Sequence, residues 1–307
     1  MNKGFAILLT GLGLMLPPQT WAQSRPLWGT VPDSVLAQHA VRNDTSSSTM
    51  ESLRKGTLFL VGGGPRQDDL TARFLKLVGG PSARVVVIPT ASVEPDDSSG
   101  EAPRAADWAR ALGLSSVTML HTASRKEADS EAFVEPLRHA TGVWLGGGES
   151  GRILASYLGT RTERELLALL GRGGAIGGTS AGALVWGSER MVFHARADHN
   201  PYQMGRPEDL VVGDPRGVCF GVLRNVLIAT HFTELQMQPS VERALSANPG
   251  LLAIGIDEAT ALEIHGDVCT VLGRANVTIF DGRDHDGHSL LLLKDGARYD
   301  LLKRVAL

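Results

Sequence analysis

Short apolar runs that alternate with amphipathic stretches constrain the fold of this chain more than any other feature. Each run has the length of a buried strand, and each stretch between two runs carries apolar residues at helical spacing. The alternation predicts an α/β fold, in which a mostly parallel sheet is covered by helices on both faces. The expected strands are residues 58–61, 85–88, 117–120, 143–145 and 175–177, and the expected helices are 69–77, 102–112, 131–138 and 162–171.

The pattern of the chain changes after Leu223. Two more apolar strands are predicted, and four short strands then follow at hairpin spacing, which is typical of antiparallel pairing. We therefore expect a C-terminal antiparallel extension of the sheet, within one domain that spans residues 56–307. The two strands are 226–229 and 253–256, and the four that follow are 261–264, 268–272, 277–280 and 290–293.

The N-terminal residues 1–22 have the order of an export signal. Lys3 is followed by an apolar run over 5–16, and the segment ends on the small residue Ala22. The apolar run is shorter than the roughly 20 residues that a membrane-spanning helix needs. We expect cleavage after Ala22 and a secreted or periplasmic protein, in which residues 23–55 form an exposed lead-in because they are polar and lack sustained periodicity.

Charge and cysteine content limit the partners and cofactors. The chain has 30 basic and 33 acidic residues, so it lacks the positive charge that binding to nucleic acid requires. Cys219 and Cys269 could form one disulfide bond or remain two buried thiols, and their spacing does not distinguish these alternatives. Neither cysteine lies near a histidine at metal-ligand spacing.

Two glycine clusters follow predicted strands, at 62–64 and at 146–148. The second cluster with Gly151 matches the G-x-G-x-x-G pattern of dinucleotide-binding proteins. That pattern belongs in the first βα turn, with an acidic residue after the next strand, whereas here it follows the fourth predicted strand. We therefore expect no nucleotide cofactor, and a turn where backbone amides can approach a ligand closely because no Cβ intervenes.

The most specific local signal is the pattern G-x-S-x-G at residues 178–182. It lies between a predicted strand and a predicted helix, where a sharp turn exposes the serine hydroxyl and small neighbours relieve the crowding. The turn also places the next amide at a helix N-terminus, which favours an anion. Ser180 is thus a candidate nucleophile, with the amides of Ala181 and of Gly147 or Gly148 as candidate oxyanion donors.

A serine nucleophile needs a base and a group that orients the base. Among nine histidines, His231 directly follows a predicted strand, at the sheet edge where open α/β proteins build their sites. Glu258 follows another apolar strand that should end at the same edge. The order Ser180, His231, Glu258 differs from the Ser, Asp/Glu, His order of α/β-hydrolases and argues against an esterase or lipase of that fold.

At these residues the sequence resembles the cyanophycinase and dipeptidase E group, serine peptidase family S51. The resemblance runs from about Gly56 to Gly282, and it implies a fold similar to class I glutamine amidotransferases. It also implies a serine-type peptidase that cleaves a peptide or isopeptide bond of aspartyl or β-aspartyl type, with Ser180 as nucleophile, His231 as base and Glu258 as its orienter, and it makes a homodimer plausible. The motifs that carry it are 87–92, 146–148, 177–183, 231–233 and 255–261.

The departures from the family pattern concern the substrate. The cyanophycinase pattern that this chain resembles has Gln, Asp-Gln and arginines at the positions of Glu149, Ala229-Thr230 and Leu235. Because this chain lacks those arginines and adds a carboxylate, it should repel an acidic substrate. Arg196 and Arg206 lie in a polar loop and could replace the missing positive charge. The candidate substrate-binding residues are therefore Glu149, Thr230, Arg196 and Arg206.

Two alternatives stay open. The first is an exported binding protein that kept the peptidase fold and lost turnover, motivated by the substrate-side departures. The second is metal catalysis at a cluster of Asp and His residues within 281–288, although the glycines inside this segment also fit a polar hairpin. We expect the hairpin and no bound metal.

Overall fold

The computed structural model describes residues 31–45, 52–92, 113–114, 116–193, 207–285 and 287–307. Its strands are β1 Thr57–Val61, β2 Arg84–Ile88, β3 Ser116–Met119, β4 Gly142–Leu145, β5 Ala175–Thr179, β6 Val226–Thr230, β7 Leu252–Ile256, β8 Thr260–His265, β9 Val268–Gly273, β10 Val277–Phe280, β11 Leu291–Leu293, β12 Arg298–Asp300 and β13 Val305–Ala306. Its helices are α1 Asp33–Thr45, α2 Asp68–Leu77, α3 Arg125–Ala128, α4 Glu131–His139, α5 Ser150–Tyr157, α6 Arg161–Gly171, α7 Ala181–Leu184 and α8 Gln238–Ala247.

The larger sheet confirms the predicted α/β class. Its order is β13-β12-β9-β8-β1-β5-β4-β2-β3, and the five strands from β1 to β3 in this order run parallel. On the other side of β1, strands β8, β9, β12 and β13 pair antiparallel. The carboxyl ends of β1 and β5 are therefore adjacent, which is the edge where the serine turn begins.

The C-terminal strands divide between two sheets, which their spacing alone did not reveal. Strands β8 and β9 extend the larger sheet, whereas β6, β7, β10 and β11 form a separate four-stranded sheet in the order β11-β10-β7-β6. Within it β6 and β7 are parallel, as expected for strands that end at one edge. The site therefore lies where the carboxyl ends of two sheets meet.

The helix α2 packs on one face of the larger sheet through aromatic contacts. The Phe74 ring lies 4.9 Å from the Trp144 ring in an edge-on arrangement. A Cβ atom at Gly177 would lie 2.5 Å from Trp144 and 2.7 Å from Phe74. Strand β5 therefore carries glycine at this position because two large rings occupy the space above it.

Within the expected exposed lead-in over 23–55, the prediction of exposure is wrong at Leu36, His39 and Leu53, which are buried. Residues 33–45 form α1, and Leu36 is buried against the core. The His39 and Glu163 side chains are only 4% and 3% exposed, and His39 Nε2 lies 2.9 Å from both carboxylate oxygens. The His39 Nδ1 atom donates to the Val35 carbonyl at 3.0 Å, so both ring nitrogens have partners within hydrogen-bond distance in this buried contact.

We expect His39→Ala to lower the free energy of unfolding by ~3 kcal/mol, because it removes the side chain that contacts both oxygens of the buried Glu163 carboxylate. The matched control is Arg66→Ala, which removes an exposed pair with Asp68 and should cost less than ~1 kcal/mol. Denaturant unfolding measures both. Equal losses in the two variants would contradict the structural role of the buried pair.

Both cysteines are buried free thiols in the structure, and burial raises the pKa of each to about 12. The predicted helix 102–112, the leader 1–22 and the arginines at 196 and 206 lie outside the described residues. Within the described part of the chain, no helix combines the length and apolar character needed to cross a membrane.

Candidate active site

Ser180 lies at the sharp turn between β5 and α7. Its backbone has φ 52° and ψ −119°, a conformation that side-chain-bearing residues seldom adopt. The turn depends on close backbone packing at two glycines. A Cβ atom at Gly178 would lie 2.1 Å from the Gly182 carbonyl oxygen, and one at Gly182 would lie 2.4 Å from the Leu145 carbonyl oxygen. The small residues of the motif are thus required by contact as well as by conformation.

His231 and Glu258 follow the parallel strands β6 and β7 of the smaller sheet and face Ser180 of the larger sheet. His231 Nε2 lies 2.9 Å from Ser180 Oγ, and His231 Nδ1 lies 2.7 Å from Glu258 Oε1. A carboxylate only accepts, so Nδ1 carries the proton and Nε2 is left to accept the hydroxyl proton of the serine. The His231 and Glu258 side chains are 24% and 33% exposed, so the site opens to solvent.

The second glycine cluster lies against the serine. A Cβ atom at Gly147 would lie 3.3 Å from Ser180 Cβ, and one at Gly148, whose φ is +132°, would lie 2.4 Å from the Ala91 carbonyl oxygen. Among the described residues no group accepts a hydrogen bond from the amides of Gly147, Gly148 or Ala181. Gly147 thus packs against the Ser180 side chain, and the amides of Gly147, Gly148 and Ala181 remain the candidate oxyanion donors.

The candidate substrate-binding residues that the structure describes differ in their exposure to solvent and in their contacts. Glu149 is exposed directly after this turn, and its Oε1 accepts a 2.9 Å hydrogen bond from the Gly151 amide at the start of α5. Thr230 is buried at the end of β6, immediately before His231. Leu235 is half-buried and packs against an apolar cluster around Phe232.

Sequence reasoning missed two acidic residues that connect the loops carrying His231 and Glu258. Asp257 is 2% exposed, and its Oδ1 accepts from the Thr233 amide at 3.0 Å and from the Thr233 hydroxyl at 2.6 Å. Glu234 Oε1 accepts from the Glu258 amide at 3.2 Å. The signal that could have found Asp257 is a second acid directly before Glu258, at the end of a wholly apolar strand.

In the acidic segment after β10, Asp281 has hydrogen-bond partners within the chain. Asp281 accepts from His285 Nε2 at 2.9 Å and from the Tyr299 hydroxyl at 2.8 Å. Burial and the Asp281 carboxylate raise the pKa of Tyr299. Among the described residues no three His, Cys, Asp or Glu side chains are grouped so that they could hold a metal ion.

Comparison with known proteins decides the family. The model of peptidase family S51 matches residues 58–272, which is more than half of the chain. The chain belongs to peptidase family S51. It is a serine peptidase, as the resemblance of its motifs implied.

Among curated relatives of this S51 peptidase, the cyanophycinase of Synechococcus elongatus is 33% identical over 245 residues, which cover 78% of this chain and 72% of that protein. The cyanophycinase of Geminocystis herdmanii is 26% identical over 239 residues, covering 76% of this chain and 84% of the relative. The crystal structure of a peptidase from an acI-B1 Actinobacterium aligns with a TM-score of 0.61 at 23% identity, over 80% of this chain and 96% of that one. The similarity to this crystal structure supports the assignment of the fold.

Proposed function

We propose that this chain is an exported serine peptidase that hydrolyses a peptide or isopeptide bond of aspartyl or β-aspartyl type through an acyl-enzyme on Ser180. The observation that carries the proposal is the continuous hydrogen-bonded chain from Ser180 Oγ through His231 to Glu258 Oε1. Nucleophile, base and orienter are within direct contact, which is the geometry that this chemistry requires.

In the proposed reaction, His231 Nε2 takes the hydroxyl proton as Ser180 Oγ attacks the scissile carbonyl carbon. The carbonyl oxygen becomes an oxyanion, which the amides of Ala181 and of Gly147 or Gly148 stabilise. Glu258 stabilises the imidazolium, which then protonates the leaving amine as the C–N bond breaks. Water, deprotonated by His231, hydrolyses the resulting ester and regenerates Ser180.

The substrate class rests on similarity to proteins named cyanophycinases together with the residues beside the nucleophile. Glu149 places a carboxylate directly after the glycine turn, and Leu235 is an apolar, partly buried side chain, so neither supplies a positive charge for the many successive carboxylates of a polyaspartate chain. We therefore propose a small aspartyl or β-aspartyl peptide as substrate in preference to cyanophycin itself. Export is proposed from residues 1–22, with cleavage after Ala22.

A library of dipeptides tests this proposal. It contains α-aspartyl, β-aspartyl and neutral N-terminal residues, and mass spectrometry compares wild type with Ser180→Ala. We expect wild type to cleave aspartyl or β-aspartyl members at least ~10-fold faster than neutral ones, and Ser180→Ala to cleave none. Faster cleavage of neutral members would contradict the substrate class, and no cleavage by folded wild type would favour the catalytically silent binding protein.

A further inference from the structure

Three consecutive carbonyl groups, of the last residue of β1 and the two residues after it, accept hydrogen bonds from the backbone at or next to the three proposed catalytic residues. The Val61 oxygen accepts from the Ser180 amide at 3.0 Å, and the Gly62 oxygen accepts from the His231 amide at 2.8 Å. The Gly63 oxygen accepts from the amide of Ala259, the residue after Glu258, at 3.2 Å. One short segment therefore contacts all three loops, which come from two different sheets.

The three donors share an unusual backbone conformation. The φ values of Ser180, His231 and Ala259 are 52°, 51° and 54°, in the left-handed region that disfavours side chains. Such a backbone conformation is strained for a residue with a side chain, and it persists only where its surroundings hold it. The carbonyl groups of Val61, Gly62 and Gly63 are the partners that hold these three amides.

The glycines of this segment leave room for the side chains of the site. A Cβ atom at Gly63 would lie 2.2 Å from His231 Cε1 and 2.4 Å from His231 Nε2. One at Gly64 would lie 2.6 Å from Glu258 Oε2 and 2.9 Å from Glu258 Cβ. The imidazole and the carboxylate thus occupy the space where these two residues lack side chains.

We propose that the tetrapeptide 61–64 is the positioning element of the active site. Its carbonyl groups fix the backbone of the Ser180, His231 and Glu258 loops. Because Gly63 and Gly64 have no side chains, they leave the space in which the His231 ring and the Glu258 carboxylate lie. This inference rests on the proposed function, because it assigns Gly63 and Gly64 to the geometry of that same site.

Gly63→Ala is expected to lower kcat by ~100-fold while KM changes by less than about threefold. A Cβ atom at this position forces the His231 ring away from Ser180 Oγ, and misplacement by about 1 Å can cost that much in rate. The ring is a side chain that can rotate, so the loss should appear in the reaction rate rather than in folding. KM stays close to wild type because Gly63 is placed beside the base and not in a substrate-binding surface.

Gly64→Ala is the second variant, and its readout is spectroscopic. Displacement of the Glu258 carboxylate should remove the far-downfield proton resonance of His231 Nδ1–H, which depends on the 2.7 Å hydrogen bond to Glu258. Gly62→Ala is not informative, because its Cβ would lie 2.1 Å from the backbone oxygen of Asp257 and would disturb the fold.

Two glycines elsewhere provide matched controls. Gly79 has φ +108°, against +112° at Gly63, and Gly296 has φ +80°, against +81° at Gly64. A Cβ atom at either control position meets nothing within 4 Å, so Gly79→Ala and Gly296→Ala place a side chain at a matched positive φ without the contact. Thermal unfolding of each pair separates the loss of stability from the loss of rate.

The proposal is supported if Gly63→Ala loses ~100-fold in kcat and Gly64→Ala loses the downfield resonance while both controls keep wild-type values. It is overturned if Gly63→Ala matches Gly79→Ala in kcat, or if Gly64→Ala keeps the resonance. Ser180→Ala is measured beside them. An active Ser180→Ala enzyme would overturn the proposed function itself, so the two failures are distinguishable.

Discussion

Ser180→Ala is expected to lower kcat/KM for peptide hydrolysis by at least ~10⁴-fold, the largest effect that we predict for a single substitution. Alanine lacks the Oγ atom that attacks the carbonyl and that lies 2.9 Å from His231 Nε2. The fold should be retained, because the backbone hydrogen bond from residue 180 to the Val61 carbonyl does not use the side chain.

The control for this prediction is Ser246→Ala. The Ser246 hydroxyl donates only to the Glu242 carbonyl within α8, so its loss should leave hydrolysis close to wild type. A fluorophosphonate probe supplies an independent measurement, since it should label wild type on Ser180 and fail to label Ser180→Ala. A Ser180→Ala enzyme that keeps more than about 1% of wild-type activity would refute the assignment of the nucleophile.

The parallel half of the fold and the three residues of the site could be predicted because their signals are local. Strands β1, β2, β4 and β5 are buried on both faces, so each appears in the sequence as an uninterrupted apolar run. Ser180 lies within a pattern of small residues that a strained turn requires. His231 and Glu258 directly follow apolar strands, and parallel strands bring their carboxyl ends to one edge.

The features that could not be predicted depend on contacts between residues that are far apart in the sequence. Helix α1 is anchored by His39 and Glu163, which are 124 residues apart, and nothing local marks His39 as buried. Hairpin spacing predicts antiparallel strands but does not specify which sheet each one joins, so β10 and β11 could not be separated from β8 and β9. The role of the glycines at 62–64 could not be predicted, because the His231 ring and the Glu258 carboxylate that occupy the space beside Gly63 and Gly64 come from 167 or more positions further along the chain.

His231→Ala is expected to reduce kcat/KM by ~10⁴-fold or more, almost as much as Ser180→Ala. Without the imidazole Ser180 loses its base, since among the described residues the side chain that hydrogen-bonds to Ser180 Oγ is that of His231. Glu258 cannot substitute for the base, because it contacts the far nitrogen of the ring. The matched control is His265→Ala, whose ring bonds to the Gly56 carbonyl away from the site, and which should keep wild-type activity.

The double variant Ser180→Ala/His231→Ala tests whether the two residues act together in one step or contribute independently to the rate of hydrolysis. If Ser180 and His231 act in one proton transfer, removal of either already abolishes that transfer, so the double variant should be no slower than the slower single variant. Independent contributions would multiply, and the double variant would then lose a further ~10³-fold or more. The comparison is made as single-turnover rates on the best aspartyl dipeptide. A residual rate shared by all three variants would measure what the backbone donors at Gly147, Gly148 and Ala181 contribute alone, because these amides remain in place when both side chains are removed.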